Sequence, residues 1–178
     1  GSRSFYARKP IDHPDDLKGM KIRIQPSPTM TRMMQLFGAE AVALPWEQVY
    51  SALQTRLVDG AENSIGALIV GKHGEVVTHY SFDEHTMVPD VFMVGAARWA
   101  SFTPTQRELV REAARASYHH MNSLWETFET DMRAQSERMG VIFTYPDKAP
   151  FIARAGALKN EFAGDAELAR LIGQIAQS

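Results

Sequence analysis

Residues 20–63 constrain the fold more than any other stretch. They read Met-Lys-Ile-Arg-Ile-Gln, a helical pattern, Ala-Val-Ala-Leu, a second helical pattern, then Asp-Gly-Ala-Glu-Asn. Residues 21–25 predict a short strand, with Ile22 and Ile24 on one side and Arg23 on the other. Ser27 and Pro28 open a helix as N-cap and first-turn proline. Its apolar residues Met30, Met33, Met34 and Phe37 recur at helical spacing, and Gly38 is the natural stop. Residues 41–44 read as a buried strand, 46–57 as a second helix, and 59–63 as a third strand. Such a βαβαβ unit makes a parallel sheet.

Ligands of an open parallel sheet sit beyond the carboxyl ends of its strands. Gln25 and Asn63 fall at such ends. Arg23 lies two residues before one, where a guanidinium can grip a carboxylate with two parallel hydrogen bonds. The Asn63 amide can donate and accept, which suits hydroxyls or a second carboxylate oxygen. On the residues alone, a surface pair of Arg23 with Glu40 and a helix cap at Asn63 are equally good readings.

The 178 residues make one large domain or two small ones. A net charge of −2 creates no field for nucleic acid or an anionic membrane. No apolar run is long enough to span a bilayer, and no signal peptide opens this sequence. Cysteine is absent, which excludes disulfides and thiolate chemistry. The N-terminal Arg3-Ser4-Phe5-Tyr6 reads as an edge strand. Residues 64–71 predict a short helix and 75–81 a strand or turn. His73, His79 and His85, with Asp83 and Glu84 between two of them, suggest a metal site but match no recognised zinc spacing, and the carboxylates read as surface groups. The continuous apolar run 91–94 predicts a strand buried on both sides.

Thr103 and Pro104 begin the longest helix, which runs to Met139 with Gly140 as its stop. Val110, Ala114, Ser117, Met121, Leu124 and Phe128 form one apolar stripe along it. A helix of roughly 35 residues spans about 50 Å, enough to bridge two domains. Residues 141–144 predict a strand. Residues 151–162 and 166–175 predict two helices, the first packing through Phe151, Leu158 and Phe162. There is no nucleophile elbow, Walker loop or glycine fingerprint, so no cofactor and no catalytic set is expected.

Asp15-Asp16-Leu17-Lys18-Gly19-Met20-Lys21-Ile22-Arg23 resembles the DLKGxKIR signature of solute-binding proteins of tripartite ATP-independent periplasmic (TRAP) transporters. Leu36-Phe37-Gly38-Ala39 resembles their LGA element. Val49-Tyr50-Ser51-Ala52-Leu53-Gln54-Thr55, followed by Val58-Asp59-Gly60-Ala61-Glu62-Asn63, resembles EVYxALQTGxVDGxEN. The likeness covers nearly the whole chain. It implies an α/β, periplasmic-binding-protein-like fold: a ligand-binding lobe over 1–85, a crossover strand and long inter-domain helix over 86–140, and a C-terminal strand and helices over 141–178. It implies a periplasmic receptor, not an enzyme, that hands an organic acid to a TRAP permease. Arg23 would bind the ligand carboxylate, Asn63 would contact the ligand, Arg3 would assist, and Trp46 would pack on it.

The opening Arg-Ser-Phe-Tyr, the Glu-His-Thr-Met-Val-Pro-Asp segment and Ser-Leu-Trp near residue 124 look most like the branch that binds sugar acids such as uronates. A hydroxyl-rich acid would also use Gln25 and Ser27. Small dicarboxylates are the alternative ligand, and an assembly module built on the long helix is the alternative role. Gln48 departs from the usual glutamate, and Arg56 from the usual glycine. The family's N-terminal portion, which supplies most of the first domain, is absent from this sequence. Weak ligand affinity and self-association through exposed apolar surface are therefore expected of this length of chain.

Overall fold

The computed structural model describes residues 1–87, 89–161 and 164–175. Six strands form one mixed sheet in the order β3-β2-β4-β1-β5-β6. They are β1 (Ser2–Ala7), β2 (Lys21–Ile24), β3 (Glu40–Ala43), β4 (Gly60–Asn63), β5 (His79–Met87) and β6 (Ile142–Thr144). The expected parallel unit is present: β2 pairs in parallel with β3 and with β4, placing Arg23 opposite Val42 and Ala61.

β1 is not an edge strand. It lies between β4 and β5 and pairs antiparallel with both. Its residues from Arg3 to Ala7 are all buried. An interior position satisfies the backbone groups of β1 on both sides.

Between β2 and β3 runs α1 (Pro28–Phe37). The Ser27 side chain accepts the Met30 N–H, Pro28 stands at its start, and Gly38 closes it in the left-handed conformation at φ 83°. The second helix is shorter than its pattern suggests. A 3₁₀ turn over Trp46–Gln48 precedes α2 (Val49–Gln54). Arg56 then turns the chain at φ 60°, so Leu57 faces solvent while Val58 enters the core. α3 (Gly66–Val70) follows β4.

The sheet carries a core on each side. On one side Phe5, Ile22 and Ile24 meet Met34 and Phe37 of α1 and Phe151 of α6 (Ala149–Glu161). Leu158 packs at the margin of this core, and Phe162 lies outside the described residues. On the other side Tyr6, Ala61 and Tyr80 meet Leu53 of α2 and Leu68 of α3. Met132, near the end of α5 (Pro104–Arg138), completes this second core.

The capping of α5 follows the sequence: Thr103 and Gln106 form a reciprocal capping box, and Gly140 follows the helix at φ 90°. Only its last turns are buried, at Met132 and Ser136. Met121 and Leu124 of the stripe are half exposed. Residues 91–94 form no strand and are 43–85% exposed. Among the described residues no strand lies beside them, and an apolar run without a hydrogen-bonding neighbour has no reason to adopt a strand. The short α4 (Ala96–Ser101) leads into α5, and α7 (Ala166–Ile175) ends the description.

Candidate functional site

Strand alternation sends the two N-terminal arginines to opposite sides of the sheet. Arg3 is on the Phe5 side, because residues i and i+2 share a side of a strand. Arg23 is on the side opposite Ile22 and Ile24, among the Tyr6 core.

Arg3 is fully engaged. Its Nε and Nη2 donate to the two carboxylate oxygens of Glu62 at 2.6 and 2.8 Å, and Nη2 also donates to the Glu62 carbonyl at 2.9 Å. Its Nη1 donates to Asn63 Oδ1 at 2.9 Å. The network continues through His85, whose Nε2 faces Glu62 at 3.6 Å and whose Nδ1 bonds Asp83 Oδ2 at 2.6 Å. Asp83 Oδ1 accepts the Phe5 N–H at 3.0 Å, and the His85 ring stacks on Phe5 at 4.1 Å. A bulge between Arg3 and Phe5, with Glu84 at φ 49°, admits Asp83 and His85 to this side.

Burial alone would lower the His85 pKa, but Asp83 and Glu62 outweigh it and raise it to about 9. Burial alone would raise the Glu62 pKa, but His85 and Arg3 hold it below the usual value. Asp83, a carboxylate whose spacing reads as a surface group, is thus buried in an ionic chain with His85, Glu62 and Arg3. Sequence reasoning missed Glu62, Asp83 and His85. The signal was their strand spacing: Asp83 and His85 share a side of β5, next to Arg3 on β1.

Arg23 differs. It is 1% exposed, and its Nε and Nη2 both donate to the Leu44 carbonyl, at 2.9 and 2.6 Å. Its Nη1 is buried with no hydrogen-bond partner. Among the described residues no carboxylate forms an ion pair with it, although the charges of Glu62 and Glu47 act on it from a distance, and the surface pair with Glu40 does not form. Burial pushes its pKa down. A buried cation with an unmatched donor is costly unless something anionic meets it.

Asn63 ends β4. Its Oδ1 accepts from Arg3 and from the Ser64 N–H at 2.8 Å. With both lone pairs occupied, the amide meets a ligand through its N–H donors, so it suits carboxylate or hydroxyl oxygens. Asn63 and Trp46 line one recess of about 210 Å³, closed by Trp125 and Phe128 of α5. Trp46 is 39% exposed. Gln25 is exposed beyond β2, and Ser27 is engaged as the α1 cap; neither these two nor Arg3 and Arg23 line this recess. A larger groove of about 470 Å³ shares Trp46 and Val70 with it, and Glu47 and Glu75 against the single Lys72 leave its wall unfavourable to an anion. Among the described residues no group of three metal-ligating side chains occurs.

Residues 1–165 match the family model described as bacterial extracellular solute-binding protein, family 7. The chain is 37% identical over 153 residues to the uncharacterized protein YiiZ of Salmonella typhimurium, covering 85% of this chain and 47% of that protein. It is similar in structure to a TRAP periplasmic solute-binding protein of Xanthobacter autotrophicus with bound β-D-galacturonate, with a TM-score of 0.93 and 39% identity. That match covers all of this chain and 60% of the other. A counterpart from Anaerococcus prevotii, with bound D-glucuronate, matches with a TM-score of 0.93 and 36% identity, covering 99% of this chain and 58% of the other. The chain therefore spans about half to three-fifths of the length of these proteins.

Proposed function

The chain belongs to family 7 of the bacterial extracellular solute-binding proteins, and on that premise we propose that the full-length protein is a periplasmic receptor for a uronate. It captures the sugar acid without chemical change and delivers it to the membrane permease of a TRAP transporter. The observation that carries this reading is Arg23: a buried guanidinium with one unmatched donor, awaiting an anion. Asn63 supplies further donors, and Trp46 offers a ring face to the apolar side of a pyranose. Arg3 acts from behind by holding Asn63. The uronates bound by the similar solved proteins support the ligand class.

A thermal-shift screen of the full-length protein against uronates, aldonates and small dicarboxylates tests this reading. A ligand that binds only the folded state raises the melting temperature by mass action. A rise with glucuronate or galacturonate is expected. A rise with dicarboxylates alone moves the ligand class, and no rise with any acid refutes the reading. The exposed run 91–94 and the α5 stripe support self-association of this length of chain. A monodisperse monomer on light scattering contradicts that.

A further inference from the structure

We propose that His73 is a positioning residue that sets the Trp46 ring toward the ligand recess; this rests on the ligand-binding reading above. Trp46, with Val70, lines both the recess that holds Asn63 and the neighbouring groove, whereas His73 lines only the groove. His73 therefore cannot touch a ligand beside Asn63 and acts through the indole in front of it.

The contact is built from both sides. The His73 ring lies 4.9 Å from that of Trp46, centroid to centroid, at 50°. Behind it, Nδ1 shares a 2.8 Å hydrogen bond with the Tyr6 hydroxyl from the centre of the sheet. His73 is 1% exposed and Tyr6 wholly buried, so this bond fixes the imidazole in place. The backbone cooperates. A Cβ at Gly71 would lie 2.7 Å from His73 Nε2 and 2.9 Å from the Trp46 ring, so only glycine lets both rings approach the turn. Lys72 then takes the left-handed conformation at φ 57°, which directs the chain inward at His73.

Trp46 has a second tether two residues upstream, where Arg23 holds the Leu44 carbonyl. The carboxylate anchor and the sugar-facing ring are thus fixed relative to each other, Arg23 through Leu44 and His73 through the ring. The Tyr6 bond sets where the ring lies, and the bulk of that ring behind the indole is what holds Trp46.

The test is a double-mutant cycle in the full-length protein, read as the dissociation constant for D-galacturonate in variants shown by melting to be folded. His73→Ala weakens binding about tenfold, the scale of coupling between residues in contact. His73→Phe keeps the ring behind Trp46 and stays within about twofold. On a Trp46→Ala background, His73→Ala changes nothing further. An equal loss on both backgrounds, or a loss with Phe as large as with Ala, overturns the proposal. The Trp46 indole N–H resonance of the ligand-free protein gives an independent readout. It shifts in His73→Ala and stays in His73→Phe. If galacturonate fails to bind the unmodified protein, the uronate reading fails, and an unshifted resonance in His73→Ala still overturns the role of His73 separately.

Discussion

The two sides of the sheet hold one buried arginine each and treat it in opposite ways. On the Phe5 side, Arg3 meets Glu62 with two parallel hydrogen bonds, and His85 and Asp83 extend the chain of charges. On the Tyr6 side, Arg23 has only a backbone carbonyl, and Nη1 has nothing. The first arrangement matches its guanidinium to a carboxylate, although His85 Nε2 lies 3.6 Å from Glu62 and makes no hydrogen bond. The second leaves a guanidinium donor unmatched. Burial alone does not separate the two arginines; the presence of a paired carboxylate does, and for that reason we propose binding for Arg23 and support for Arg3.

The largest effect expected from breaking this contrast is on stability. Arg3→Ala leaves Glu62 buried without its partner and costs about 3–5 kcal/mol. Arg23→Met removes a cation that makes no direct ion pair among the described residues, and it changes stability by less than about 2 kcal/mol. Chemical denaturation of the two variants reads this directly; equal losses would erase the distinction.

The next effect is opposite pH dependence of the two sides. The folded-state pKa of His85 is raised to about 9. Its stabilisation is fully present below the unfolded value near 6.5 and is lost as pH rises toward 9. The folded-state pKa of His73 is lowered to about 4, by burial first and by the Arg23 charge second. Folding then excludes a proton that the unfolded chain binds, so stability falls as pH drops from about 6.5 toward 4. Melting temperature should peak near neutrality. His85→Gln should flatten the alkaline limb and His73→Phe should flatten the His73 part of the acid limb. An alkaline limb unchanged in His85→Gln would show that the ionic chain is not charged as described.

The smallest effect sharpens the comparison by standing outside it. Arg56 is exposed in the left-handed conformation at φ 60°, where a side chain is strained and glycine is not. Arg56→Gly should raise stability by about 0.5–1 kcal/mol and leave ligand affinity unchanged. A drop in affinity would tie this turn to the site.

What the residues revealed in advance was local. Ser27, Pro28 and Gly38 bound α1 because caps and left-handed stops are set by neighbours in sequence. Thr103 and Pro104 start α5 for the same reason. The parallel pairing of β2, β3 and β4 followed from short crossovers. The central place of β1 was not legible, since its partners lie about 55–85 residues away and pair antiparallel. Neither was the fate of residues 91–94, because an apolar run announces burial without saying what will cover it.

The candidate site was legible in the positions of its residues and not in their couplings. Arg23, Asn63 and Trp46 stand at strand ends or just beyond, as the topology demands. That Arg3 would be occupied by Glu62, or that His73 would back Trp46, depends on contacts across the sheet that no local spacing encodes.

Calorimetric titration of the full-length protein with D-galacturonate, beside its Arg23→Met variant, tests the central claim most directly. A saturable heat is expected for the unmodified protein, and affinity is expected to fall on the order of a hundredfold or more in Arg23→Met, which melts at nearly the same temperature. Unaltered affinity in Arg23→Met would show that the unpaired arginine is not the anchor.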